Sequence, residues 1–308
     1  MKRVRLIVLA LAAVCALSGM TASASMAVEC EQVAEAGTGN WRNSICTLAA
    51  PPGEYIKINR LVTNLGGGEW CAETTEANTG NYTDSSCKTK GVGNFIKIRL
   101  RQRWQVNEAE PSANQTIKLQ LKGTAALSVP SLELRITCTN SASENSTIEG
   151  QGKNHSGADK GSITYTKCNV PKPAGDECEV VEPIKTNQTK SHLAVSENNQ
   201  AKVARPVDVF EPTEGKIFTQ LKIKGPAKCP ATVKGSFNVT GSVAAEIGPE
   251  GAEVKEGDLQ FPEEAIKIVK TENGEAKVGL AFGVSTESTF SAGYGAQLGS
   301  GEPFGVGG

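Results

Sequence analysis

Histidine is nearly missing from this chain of 308 residues, aromatics make up 5% of it, and its charges almost cancel. Each scarcity removes a class of function. Two histidines, His155 and His192, leave little for a zinc centre or a histidine-dependent hydrolase. Structural zinc ligand pairs sit about two to four residues apart, and no cysteine pair here has that spacing. A formal net charge of −1 argues against a nucleic-acid binder, whose domains are strongly basic. Hydrolase and nucleotide signatures are absent: there is no G-x-S-x-G, no H-E-x-x-H, no Walker loop and no G-x-G-x-x-G opening a helix. Ser85 and Lys88 have the spacing of a serine penicillin-recognising pair, but Cys87 lies between them. No cofactor or metal is expected.

What is present begins with Lys2, Arg3 and Arg5 ahead of an apolar run from Leu6 to Leu17 and an Ala22-Ser23-Ala24 signature. This reads as an export signal over residues 1–27, cleaved near Ala24 or Ala27. Lipidation of Cys15 is disfavoured by bulky Val14 before it. No later stretch approaches about eighteen consecutive apolar residues, so no transmembrane helix is expected after cleavage. Removing the leader also takes the cysteine count from nine to eight. In an oxidising compartment an even count implies disulfides.

The spacing of those cysteines comes with an echo. "GTGNWRNSIC" ends at Cys46 and "NTGNYTDSSC" at Cys87, and Cys30/Cys46 and Cys71/Cys87 enclose equal gaps of fifteen residues. Aligning the copies matches Glu35 with Glu76, Gly39 with Gly80 and Trp41 with Tyr82; after one gap, Gly53 matches Gly93 and Tyr55 matches Phe95. Two copies are too few for a solenoid, so they are expected to pair with each other or to pack on the rest of the chain. Bridges Cys30–Cys46 and Cys71–Cys87 follow from the repeat, with Gly39 and Gly80 taking the positive-φ turn position. Sequential pairing of the remainder predicts Cys138–Cys168 and Cys178–Cys229.

In "FIKIRLRQRW" apolar residues alternate with Lys97, Arg99, Arg101 and Arg103, a strand pattern with four cations on one face. Such a face would attract anionic envelope polymers; equally, Lys and Arg protect a sheet edge. A polar, proline-bearing stretch over 106–115 reads as a linker between the repeats at 28–105 and a second unit at 116–290. That unit is a series of short strands punctuated by Gly, Pro, Asn and Ser, expected to form a β-sandwich or barrel. The Gly-rich residues 291–308 read as a flexible tail. The fold expected is all-β: a pair of disulfide-closed repeats followed by a β-sandwich-like domain.

The run "LELRITC", "STIEG", "KGSITYTKC", "CEV", "VDVFEPTEGKIFTQL" and "VKGSFNVTGSV", spanning roughly 130–245, resembles a family of secreted proteins that occur in large sets in soil actinobacteria. The shared pattern is an Ile-x-Cys strand, a Gly-rich hairpin closing on a second cysteine, a third cysteine soon after and a later Gly-Ser-Val strand. The resemblance implies a bacterial, extracellular setting and no assigned activity. Here the last strand departs by splitting into "KGSFNVTGSV".

These observations favour a non-enzymatic secreted or cell-surface β-protein with a structural or recognition role in the envelope, its partner an envelope glycan or a surface protein. A glycan-active enzyme is the alternative, since such chemistry needs two facing carboxylates and no motif; Glu54, Glu69, Glu110, Glu144 and Asp176 are among the candidates. Trp41 and Tyr82 are either a stacking platform for a sugar or the fillers of two small cores. The scarcity of aromatics favours the second role, with both rings buried.

Overall fold

The computed structural model describes residues 29–307 apart from 45, 67, 101, 108, 150–157, 173–176, 198–203, 250–251 and 285. The expected export signal therefore lies outside the described residues. Among these there is no α-helix; one short 3-10 turn at Pro130–Leu132 interrupts an all-β chain.

The first repeat contributes β1 (Glu29–Val33), β2 (Gly39–Trp41), β3 (Ala49–Gly53) and β4 (Tyr55–Gly66); the second contributes β5 (Glu69–Thr74), β6 (Gly80–Tyr82), β7 (Lys90–Gly93) and β8 (Phe95–Arg99). Within the copies Cys30 lies opposite Lys57 and Cys71 opposite Lys97. Between them Val33 pairs with Ile98 and Thr74 with Ile58. Strands β1, β4, β5 and β8 thus close a four-membered ring, each copy completing the other about a pseudo-twofold axis. Alternation along the strands turns Ile56, Ile58, Ile96 and Ile98 inward, where Val33, Leu61, Trp70 and Leu100 complete a buried core. Fixed spacing explains the glycines. A Cβ on Gly39 would meet the Tyr55 carbonyl oxygen at 2.4 Å, and one on Gly80 the Phe95 oxygen at 2.3 Å. Their role is close strand approach rather than the positive φ expected of them; that conformation falls at the equivalent Gly37 (φ +78°) and Asn78 (φ +62°).

All four bridges pair as the spacing suggested: Cys30–Cys46, Cys71–Cys87, Cys138–Cys168 and Cys178–Cys229. In the chain-entropy picture a loop of fifteen residues gains roughly 3 kcal/mol from closure, which compensates for the small core of each repeat.

The chain continues as β9 (Arg103–Val106), β10 (Gln115–Val129), β11 (Leu134–Ile148), β12 (Asp159–Lys172), β13 (Glu179–Val180), β14 (Ile184–Lys185), β15 (Thr189–Glu197) and β16 (Ala204–Pro212). There follow β17 (Ile217–Lys224), β18 (Gly235–Gly241), β19 (Val243–Gly248), β20 (Gly257–Phe261), β21 (Ile268–Thr271), β22 (Gly274–Lys277), β23 (Leu280–Phe282), β24 (Thr286–Leu298) and β25 (Phe304–Gly307). Pairing runs β10-β11-β12-β15-β16-β19-β20-β24, and β24 returns to β10. The other ends of the long strands β10, β11, β12 and β24 carry a second curl through β23, β18, β17 and β14, tied by a Thr186–Thr219 bridge. The body is therefore sandwich-like, with two curled halves over one apolar core. Phe261 packs on Phe210, Phe290 and Tyr294 with ring centroids 5.6, 5.1 and 6.1 Å apart.

Two of the sequence boundaries move. Residues 291–308 were expected to be a flexible tail, but β24 runs through to Leu298 and β25 pairs with β9, Phe304 opposite Val106. Period-two burial of Ala292, Tyr294, Ala296 and Leu298 marks a strand, and the interleaved glycines admit neighbours: a Cβ on Gly293 would meet Gln260 at 2.7 Å. The repeat unit likewise ends earlier than residue 105, because Arg103–Val106 pairs with the C-terminal strand of the body rather than with the repeats. The repeats also dock on the body. Trp70 Nε1 donates to the Thr271 carbonyl at 3.3 Å, Lys270 Nζ to that of Leu61 at 2.8 Å, and Val195 joins the repeat core.

Candidate functional site

Trp41 and Tyr82 occupy equivalent places beside equivalent disulfides, yet their environments differ. Both stand next to an aromatic of the ring strand, Tyr55 or Phe95, and each carries a lysine ammonium: Lys57 Nζ lies 4.3 Å from the Trp41 centroid and Lys97 Nζ 5.2 Å from that of Tyr82. Tyr82 is sealed, 1% exposed, in a cluster with Cys71, Cys87, Leu65 and Phe95. Its hydroxyl donates to Glu35 Oε1 of the first copy at 2.8 Å, and Lys90 Nζ lies 3.3 Å from the same carboxylate. The hydroxyl's hydrogen bond, followed by the Lys90 charge, holds the Glu35 carboxyl below its ordinary range, and burial pushes the Tyr82 phenol up.

Trp41, expected to be buried like its counterpart, is half-exposed. Leu65, which packs on the Tyr82 cluster, has no counterpart strand residue beside Trp41, because the chain leaves the repeat sheet after β8; Gln105, on β9, donates to Ser44 Oγ. Glu76, the counterpart of Glu35, is exposed; among the described residues its carboxylate makes no hydrogen bond or ion pair. An indole has no hydroxyl to recruit it. The first copy therefore keeps its aromatic ring partly at the surface, where the second copy has sealed it, while Lys57 and Lys97 are buried to the same intermediate degree.

Lys97, Arg99 and Arg103 of "KIRLRQR" do not lie on one strand. Strand β8 stops at Arg99; Leu100 is buried and its N–H donates to Gly68 O at 3.0 Å, and the chain re-enters a different sheet at Arg103. Lys97 lies over Tyr82, Arg99 approaches Glu69 at 3.9 Å and Arg103 approaches Glu110 at 3.6 Å; Arg101 lies outside the described residues. Nor is β8 a sheet edge in need of protection, since β1, β5 and β6 all pair with it.

Among the described residues, the acids singled out for glycosidase chemistry do not converge. Glu69 and Glu110 are bound to those arginines, Glu144 to Lys185 at 2.7 Å, Glu54 is exposed and Asp176 lies outside the described residues. The facing pair is another one. Asp159 on β12 and Asp208 on β16 flank β15, whose Ser191 is in register with Asp159. They are 8%, 1% and 4% exposed in the order Asp159, Asp208, Ser191. Burial pushes both carboxyls up, and the charge of Asp159 pushes Asp208 further. Asp208 Oδ1 and Ser191 Oγ make no hydrogen bond of good geometry among the described residues. "PVDVFEP" did carry a signal: Val207 and Val209 point one way, so the lone acid between them had to point, with Phe210, into the other face.

Asp159 and Asp208 line a mostly apolar cavity of about 70 Å³ with Trp104, Phe210, Phe261 and Phe304; a second, of about 60 Å³, lies beyond Tyr165 and Phe290. Ligand sites of ordinary size occupy roughly 300 Å³ or more, so neither cavity admits a sugar ring. Among the described residues no cluster of three or more His, Cys, Asp or Glu could hold a metal, and no helix is long and apolar enough to cross a membrane. No protein-family model, no curated protein and no solved structure matches the chain.

Proposed function

We propose that this is an exported, non-enzymatic β-protein that recognises a glycan at the bacterial cell surface, with the repeat pair as its recognition part and the larger unit as its support. The observation that carries the reading is the inequality of the two aromatics: Tyr82 is sealed in its cluster, whereas Trp41, with Lys57 over its ring, keeps part of that ring in contact with solvent. A half-exposed indole next to a cation is an amphipathic surface of the kind that stacks sugars. Four disulfides suit an oxidising compartment, the basic-apolar leader suits export, and the resemblance at 130–245 suits a bacterial extracellular setting.

A glycan array probed with mature protein and with Trp41→Ala tests this. Binding to one or a few glycans that the variant loses is the expected result. A blank array, or binding that the variant retains in full, would remove the repeat pair from consideration as the recognition surface.

A further inference from the structure

The cavity that holds Asp159 and Asp208 has one wall unlike the others. Ile117, Phe210, Val243 and Phe261 line it from strands of the closed main sheet, whereas Trp104, Phe304 and Gly305 line it from β9 and β25, which form a two-stranded sheet of their own. Each of these strands has four residues. Beyond their mutual pairing, β25 is held by the bridge from Phe304 to Val254 and β9 by Gln105 Nε2, which donates to Ser44 Oγ; just outside them the Asn107 N–H donates to Pro303 O at 3.4 Å. Segments anchored so sparsely open at lower free energy than strands inside a sheet. Behind this wall, burial disfavours the ionised form of both aspartates, each more than nine-tenths buried. Lys160, the one cation lining the cavity among the described residues, is bonded to Glu149, which itself pushes Asp159 toward its neutral form. Asp258 adds a third acid, bonded to Lys122 at 2.8 Å, and the Tyr165 hydroxyl meets that of Tyr294. Ionised aspartates would find no spare counter-charge there, only water admitted from outside.

We propose that the β9–β25 pair is a pH-operated flap, shut over the cavity while Asp159 and Asp208 are neutral and released when they ionise. Opening lets water reach both carboxylates and returns them toward the ordinary aspartate value of about 3.9. The shut form therefore binds more protons than the open one. Opening is level below about pH 4 and grows as pH rises through the range in which the shut form gives up its protons, by up to roughly tenfold per pH unit for each proton released. Trp104 and Phe304, whose rings pack with centroids 6.1 Å apart, leave with the flap. Phe210 and Phe261, which line the cavity from the main sheet, are then uncovered, so the high-pH form presents an apolar surface that the low-pH form hides.

Hydrogen exchange of the mature protein at pH 5 and pH 8, with each rate divided by its intrinsic value, tests the flap. Protection of residues 103–106 and 304–307 should fall roughly tenfold or more between the two, while β10 and β11 keep theirs, and tryptophan emission should shift to the red over the same range. Asp159→Asn/Asp208→Asn, confirmed as folded by its melting curve, should retain at pH 8 the protection that the flap has at pH 5. The proposal is overturned if protection of the flap is level with pH, or if the folded variant loses it as the unmodified protein does. It is overturned equally if protection falls as far in β16 and β19 as in the flap, because the body would then be loosening as a whole. Should the double variant fail to fold, the contrast between flap and body in the unmodified protein decides alone.

Discussion

The hydroxyls of Tyr165 on β12 and Tyr294 on β24 meet at 2.7 Å inside the body. Both rings are buried, and burial pushes both phenols well above their ordinary range. Each hydroxyl is thus the other's main compensation for lost water. Leaving one buried hydroxyl unpaired costs about 1–3 kcal/mol, whereas removing both partners is far cheaper than twice that. Tyr165→Phe should therefore destabilise by about 1–3 kcal/mol in urea unfolding, and Tyr165→Phe/Tyr294→Phe by less than the sum of the single changes. Additive losses would mean that the two hydroxyls act independently.

The Asp159–Asp208 pair sets a pH dependence of definite sign. An unfolded aspartate ionises near about 3.9, while the folded pair keeps its proton to higher pH. The folded state then binds more protons than the unfolded one, so this pair's contribution falls as pH rises from about 4 through the folded pKa and is level below that window. Glu149, bonded to Lys160, pushes Asp159 the same way. Asp208→Asn removes the ionisation and keeps the shape. Its melting temperature relative to the unmodified protein should rise with pH above about 4; a difference that is flat from pH 4 to pH 8 would contradict a pair kept protonated by burial.

Local rules made much of this architecture readable. Equal cysteine gaps predicted two bridges, sequential pairing the other two, and the alternation through Ile96 and Ile98 predicted one of the ring strands. What escaped was whatever depends on contacts distant in sequence. Nothing in "SAGYGAQLGSGEPFGVGG" says that Lys122 and Gln260 crowd against its glycines, so strand composition looked like a linker. "FIKIRLRQRW" read as one strand because alternation continues across Leu100, where the Gly68 carbonyl diverts the backbone. Asp208 was visible in an apolar run, but its facing acid lies 49 positions earlier, at Asp159.

The copies should respond unequally to loss of their aromatics. Tyr82 fills a sealed cluster, so Tyr82→Ala should cost about 3–5 kcal/mol, as large buried aromatics do. Trp41 is only partly buried, and Trp41→Ala should cost less than Tyr82→Ala despite the larger ring, since part of its surface stays in contact with water. Chemical denaturation of the two variants side by side decides this. Equal losses would mean that Trp41 is packed like its counterpart, which would also weaken the case for an open site.

The C-terminal strand is the sharpest departure from sequence expectation and can be tested by removing it. Phe304 is 3% exposed, tilts against Trp104 with centroids 6.1 Å apart and lines the same cavity as the two aspartates. Its backbone is held on two sides: N–H and C=O bond Val254 at 3.0 and 2.9 Å, and β9 pairs along the strand. Ending the chain at residue 302 would uncover Trp104, leave β9 unpaired and admit water to Asp159 and Asp208. Phe304→Ala should accordingly cost about 3–5 kcal/mol. The truncated chain should melt well below the full one, with tryptophan emission shifted to the red. Should the truncated chain melt at the same temperature with unchanged emission, residues 303–307 would be an appendage to the body rather than one of its walls.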